Sequence, residues 1–142
     1  MVASGKLADD TLSLLMSNSR MSLRDIAKKL KVSTTTVSKI VKDMEQRGII
    51  QGYTMRVDWK KVGYDSVLCL SIMTKPDADI DNVGRGLREF PSVKEVFYTT
   101  GDQSFSAYVV CRDTDEAATT IKKLSKIEGV ERIVSHMVLK AF

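Results

Sequence analysis

Between residues 33 and 42 the sequence reads STTTVSKIVK, which places the hydroxyls of Ser33, Thr34, Thr35, Thr36 and Ser38 beside the ammonium groups of Lys39 and Lys42. Such hydroxyls donate to phosphate oxygens or base edges, threonine methyls suit the thymine methyl, and ammonium groups neutralise phosphates. Threonine is a poor helix former, at a few tenths of a kcal/mol per residue, so three in succession ahead of a helical apolar repeat call for a reason. The free backbone amides and the positive dipole end of a helix N-terminus, which already favour a phosphate, supply one. A second cluster lies in YTTGDQS, residues 98–104. Around Gly101 it gathers Tyr98, Thr100, Asp102, Gln103 and Ser104, the mixed set a zwitterionic amino acid needs. Asp102 would hold the ammonium, and hydroxyls and backbone amides the carboxylate, with glycine allowing close approach of the backbone. The same Gly-Asp is also a favourable hairpin turn that binds nothing.

The first cluster needs a helix held by its neighbours. Leu7, Thr11, Leu12, Leu14 and Leu15 mark one short helix. Ser22 stands three residues before Asp25, as in a capping box, and Leu23, Ile26, Ala27 and Leu30 follow at helical spacing. After Lys31 and Val32, Ser33 is a favourable N-cap, and Val37, Ile40, Val41 and Met44 repeat until Gly48 supplies a stop. The spacing predicts a third helix over residues 34–47. Two short helices across so tight a turn form a helix-turn-helix, whose second member enters the DNA major groove. Beyond it, Ile50, Tyr53, Met55 and Val57 predict a strand, and DWKKVGYD a polar turn. Trp59 in that turn is expected to pack rather than to stack on a base.

From Ser66 the pattern is strand, helix, strand, strand, helix, strand. SVLCLSIMT is the first strand; Ile80, Val83, Leu87 and Phe90 share a helix face; SVKEVFYTT and SFSAYVVC flank the turn GDQ; Thr114 caps a helix carrying Ala117, Ile121 and Leu124; VERIVSHMVLKAF closes the sheet. This βαββαβ order is the ferredoxin-like unit, with both helices on one face of an antiparallel sheet. The first strand is apolar on both sides, with Val67, Cys69 and Met73 on one and Leu68, Leu70 and Ile72 on the other. A bare apolar face implies a partner surface, here a homodimer with sheets packed face to face.

The fold class is therefore α+β. Residues 1–50 form a winged-type helix-turn-helix domain, 51–63 a strand and linker, and 64–142 the ferredoxin-like domain. Charge agrees with that division: residues 1–61 carry 12 Lys and Arg against 6 Asp and Glu, and residues 62–142 carry 10 against 12. No apolar run approaches the ~18 residues of a membrane span. MVASGKLADD lacks the apolar core of a secretion signal, so a cytoplasmic location is expected. Cys69 and Cys111 have no metal-ligand spacing and are expected to be buried thiols; no metal or cofactor is expected.

The helix-turn-helix followed by RGIIQGY, VGYD, YTTGDQS and a βαββαβ unit resembles the leucine-responsive and asparagine-responsive (Lrp/AsnC, or feast/famine) transcription regulators over nearly the whole chain. The resemblance implies a double-stranded DNA partner and a second domain, the RAM domain, for effector binding and oligomerisation. Dimers of such proteins often build tetramers or octamers. It also implies a small-molecule effector, typically an amino acid, bound between dimers near residues 98–104 and near the last strand, where His136 falls. Two positions depart from the family pattern: Ile40 stands where an arginine is common, and Ser104 where a carboxylate is common, although the asparagine-responsive type also carries serine.

Two other readings are weaker. The βαββαβ topology also serves RNA recognition, but Phe105 and Tyr108 have opposite parity on their strand and cannot share a base-stacking face. An enzyme needs convergent catalytic groups, and one histidine without a paired nucleophile and base in any motif does not provide them.

Overall fold

Three helices build the N-terminal unit of the computed structural model, which describes residues 5–142 and divides the chain after Arg56. They are α1 (Lys6–Ser17), α2 (Leu23–Leu30) and α3 (Thr34–Gln46). Leu15, Ile26, Ala27, Val37, Val41 and Met44 form their shared core, with Leu12, Leu30, Ile40 and Ile50 packed at its margin. Ile26 and Val37 are fully enclosed, each contributing ~1.5 to 3 kcal/mol by leaving water.

Local chemistry sets the helix ends. Ser22 Oγ accepts the Asp25 amide at 3.0 Å, and Ser33 Oγ the Thr36 amide at 3.1 Å, so both expected caps are present. α3 ends at Gln46, one residue earlier than the spacing predicts, with Arg47 as its cap. Gly48 follows with φ of 69°; its amide donates to the Glu45 carbonyl, and the Ile49 amide donates to Met44. Those two bonds satisfy carbonyls that the helix cannot, and the left-handed backbone they require favours glycine. α2 ends by the same two bonds, Lys31 to Lys28 and Val32 to Ala27, but its left-handed residue is Lys31, with φ of 56°. A side chain in that conformation costs ~1 to 2 kcal/mol.

The strand expected over Ile50–Val57 is not formed. Residues 51–58 are irregular and join no ladder, because alternation alone makes no strand without a neighbouring edge to bond. Tyr53 and Met55 are exposed, and the segment is tied to α3 by the Tyr53 hydroxyl, which donates to Glu45 Oε1 at 2.8 Å.

The C-terminal unit begins with a 3-10 turn at Trp59–Val62. Trp59 packs edge-on against Tyr64, centroids 5.6 Å apart, with Lys94 Nζ 5.3 Å above its ring. Then come β1 (Ser66–Thr74), α4 (Ile80–Arg88), β2 (Val93–Tyr98), β3 (Phe105–Cys111), α5 (Thr114–Leu124) and β4 (Val130–Met137). The sheet runs β2-β3-β1-β4, every pair antiparallel, as the βαββαβ reading requires. Register puts Leu68, Leu70 and Ile72 opposite Val109, Ala107 and Phe105, and this face is covered by Val83 and Leu87 of α4 and Ala117 and Leu124 of α5.

Two details differ from expectation. Asp113, not Thr114, caps α5: its carboxylate accepts the Glu116 amide at 2.8 Å, and Thr114 is already helical. Asp and Thr both cap well, so sequence alone leaves them close. Cys111 is buried, but Cys69 is exposed, because it lies on the face of β1 that the helices do not cover. Burial pushes the Cys111 thiol above its ordinary pKa. The uncovered face is also less apolar than β1 alone suggests: the row through Cys69 continues into Glu95, Tyr108 and His136, and the row through Ser71 into Phe97, Ser106 and Val134.

Candidate functional site

The polar surface of α3 follows from the helical repeat. Val37, Val41 and Met44 are buried in one stripe. At 100° per residue, Thr35, Lys39, Lys42 and Gln46 occupy the opposite stripe, and all four are exposed. Ser33 and Thr34 are exposed at its first turn, while Ser38 sits half-buried on a flank. Helix, cap and core thus point a hydroxyl, two ammonium groups and a carboxamide outward together. Gln46 is absent from the sequence-based set, although its position four residues after Lys42 was a sufficient signal.

Within the threonine run the three side chains differ. Thr36 is half-buried, and its hydroxyl lies 2.7 Å from Ser33 Oγ, so it serves the cap. Thr34 and Thr35 are exposed. Ile40 packs at the margin of the helical core, which gives it a structural use.

The second cluster is a closed turn at the end of the β2–β3 hairpin. The Thr99 amide donates to the Ser104 carbonyl at 2.9 Å, and the Thr99 hydroxyl to the Gln103 carbonyl at 3.4 Å. Gly101 takes φ of 107°, a backbone that side chains disfavour. Tyr98, Thr100, Gly101 and Asp102 are exposed, and Gln103 and Ser104 half-buried. Ser104 is anchored to β1: its amide donates to the Ile72 carbonyl at 2.9 Å, and its Oγ lies 2.7 Å from Thr74 Oγ1 and 3.3 Å from the Thr74 amide. The Tyr98 ring leans on buried Phe105, centroids 5.4 Å apart.

His136 does not join this cluster within the chain. It lies on the edge strand β4 and pairs with Cys69, whereas the turn lies beyond the Ile72–Phe105 pair. Cys69 and Ile72 are three residues apart on β1, about 10 Å along the strand.

Two family models match the chain: a winged helix-turn-helix DNA-binding domain over residues 10–51 and the Lrp/AsnC ligand binding domain over residues 68–142. The chain belongs to the Lrp/AsnC family. The HTH-type transcriptional regulator LrpA of Pyrococcus horikoshii is 37% identical over 130 residues, covering 91% of this chain and 92% of that one. The structure of Escherichia coli AsnC superposes with a TM-score of 0.79 at 30% identity, covering 99% and 95% of the two chains. A transcriptional regulator of Neisseria meningitidis, solved as its L-Met complex, shares the fold, with a TM-score of 0.82 at 20% identity and coverage of 96% and 91%.

Membership gives each unit its role. The chain is a transcription regulator with a helix-turn-helix domain for DNA and a second domain for a small ligand. Its relatives are regulators rather than enzymes. No helix among the described residues is long and apolar enough to cross a membrane.

Proposed function

We propose that α3 lies in the major groove with the stripe Thr35, Lys39, Lys42 and Gln46 toward the duplex, and that an amino acid bound beside residues 98–104 modulates assembly or DNA affinity. The observation that carries the first part is the exposure of that stripe directly opposite the buried Val37, Val41 and Met44. In this reading Thr35 and Gln46 meet base edges, Lys39 and Lys42 meet phosphates, and Ser33, Thr34 and the amides of the first turn meet a phosphate at the helix N-terminus. Ser38 flanks the contact, and Thr36 supports it through the cap.

The amino-acid reading draws support from the exposed Asp102 carboxylate beside the Gly101 turn and from the L-methionine bound by the Neisseria meningitidis structure. Tyr98, Thr100 and Gln103 would line such a site, with Ser104 holding the turn in place through Thr74. His136 would contribute only from another copy of the chain.

A homodimer, built further into tetramers or octamers in the cytoplasm, completes the reading. The helix-free sheet face supports it, since Phe97 remains 58% exposed there. Dimeric half-sites would then lie about one helical turn, ~34 to 36 Å, or a multiple of that, apart.

Salt titration of DNA binding is the test. Lys39→Ala or Lys42→Ala should weaken binding about equally on all sequences and lower the log–log salt slope by roughly one per lost contact. An unchanged slope for both would remove α3 from the interface. For the effector, thermal stabilisation screened across the amino acids should find one that adds ~2.7 kcal/mol at 100 times its dissociation constant; no response to any of them would refute that half.

A further inference from the structure

We infer that Gly84 of α4 is a positioning residue for the amino-acid site: by letting the helix backbone meet the Phe105 ring, it sets where the Tyr98 ring stands. That role rests on reading residues 98–104 as the wall of the site.

α4 carries two glycines in its interior, Gly84 and Gly86. Glycine weakens a helix interior relative to alanine. Neither has the positive φ that would call for it; among the described glycines that holds for Gly48, Gly63, Gly101 and Gly129. Space supplies the reason. A methyl group at Gly84 would lie 3.3 Å from Cε1 and 3.7 Å from Cζ of Phe105, and one at Gly86 would lie 3.3 Å from Cγ2 of Ile127. Carbon atoms at optimal separation are ~3.5 to 4.0 Å apart, so in each case the neighbour would have to yield. At 100° per residue the two glycines fall on opposite flanks of the buried stripe Val83 and Leu87. One flank rests on Phe105 and the other on Ile127.

The two neighbours differ in what they hold. Phe105 is 2% exposed and opens β3 directly after the turn. Across the sheet it pairs with Ile72 on β1, which is fully buried, and with Tyr98 on β2, which is 66% exposed. A ring pushed by a methyl group on α4 meets packed side chains toward β1 and an open ring toward β2. The displacement therefore passes to Tyr98, whose ring centroid lies 5.4 Å away. Tyr98 and Phe105 are also the last ladder pair before the turn. Ile127, by contrast, stands in the connection between α5 and β4, outside the hairpin. A binding site needs its lining held to within about 0.5 Å by side chains that packing locks, and the close approach at Gly84 supplies such a lock.

Gly84→Ala and Gly86→Ala form a matched pair in the full chain, because both gain the same helix propensity and meet the same 3.3 Å approach. Each proteinogenic amino acid is titrated singly by calorimetry, and the Tyr98 ring protons are followed by NMR before any amino acid is added. Gly84→Ala should move the Tyr98 resonances and weaken binding about three- to ten-fold, whereas Gly86→Ala should leave both as they are. A glycine needed only for helix packing would alter the melting temperature and leave the Tyr98 resonances and the affinity unchanged. If Gly84→Ala does not fold, Phe105→Leu, which removes the ring and keeps the glycine, takes its place with the same expected loss. Equal losses in the two glycine variants, or unchanged affinity in Gly84→Ala or in its Phe105→Leu substitute, would overturn the positioning role alone. If no amino acid binds the unaltered protein, the effector reading falls and the positioning role with it.

Discussion

The outward stripe of α3 and the hairpin turn at residues 98–104 are both short polar clusters, yet the fold treats them differently. On α3, Val37, Val41 and Met44 anchor the helix on a core, and the helical repeat then frees Thr35, Lys39, Lys42 and Gln46 from duties inside the chain. In the turn the polar groups bond one another: Thr99 closes the loop through Ser104 and Gln103, and Ser104 is pinned to Thr74. A regular element separates anchoring residues from presenting ones. An irregular element asks the same few side chains to hold their own backbone, so fewer are left for a ligand.

The largest test of that contrast removes an anchor. Ile26 is fully buried in the helical core, and Ile26→Ala should cost roughly 2 to 5 kcal/mol. A unit this small has little stability to spare. DNA binding should disappear while amino-acid stabilisation of the C-terminal unit persists, read as two separate steps in thermal unfolding. A single cooperative loss of both activities would show that the two sites share one stability.

Next in size is the division within the threonine run. Thr35→Ala should cost about 1 to 3 kcal/mol at particular base pairs if its side chain reads an edge. Thr36→Ala should instead reduce helix stability by about 0.5 to 1.5 kcal/mol, by removing the hydroxyl bonded to the Ser33 cap, and weaken all duplexes alike. Binding measured over a panel of single-base operator variants separates the two patterns, and a base-specific loss for Thr36 would reverse the assignment.

These differences mark how far the sequence is legible. Helix existence, both serine caps, the Gly48 stop and the βαββαβ order follow from period and local chemistry, because apolar repeats at 3.6 and 2 residues report which face is buried. The α3 stripe follows as well, and Gln46 belongs to it by the same repeat, four residues after Lys42. Exposure of Cys69 was implicit in strand parity but depended on which face the helices chose. The strand over Ile50–Val57 failed because pairing is a property of two segments. The bond between Ser104 and Thr74 is illegible for the same reason: the two lie 30 residues apart in sequence.

Within the turn, Ser104→Ala and Asp102→Ala should part company. Ser104→Ala removes a half-buried hydroxyl bonded to Thr74 and should destabilise the C-terminal unit by about 1 kcal/mol. Asp102 is exposed, so Asp102→Ala should leave the melting temperature within ~0.5 kcal/mol of its original stability while abolishing the amino-acid response. Calorimetry that finds amino-acid binding intact in Asp102→Ala would remove the carboxylate from the site.

The smallest expected effect concerns Tyr53, which ties the irregular segment after α3 to the helix itself. Its hydroxyl donates to Glu45 at 2.8 Å, and its pKa is raised, first by desolvation, then by the hydrogen bond to Glu45 and by that carboxylate's charge. Only the protonated phenol donates, and ionisation would set two anions side by side. Because the folded value is raised, the contribution is complete below the ordinary phenol pKa of ~10 and is lost as pH rises through the folded value. Tyr53 is 53% exposed, so solvent screens the interaction, and Tyr53→Phe should cost less than ~1 kcal/mol at neutral pH. The informative quantity is the difference in melting temperature between the two proteins from pH ~8 to ~11. It should shrink toward zero as the phenol ionises; a constant difference over that range would mean that the ring's packing, and not its bond to α3, holds the segment.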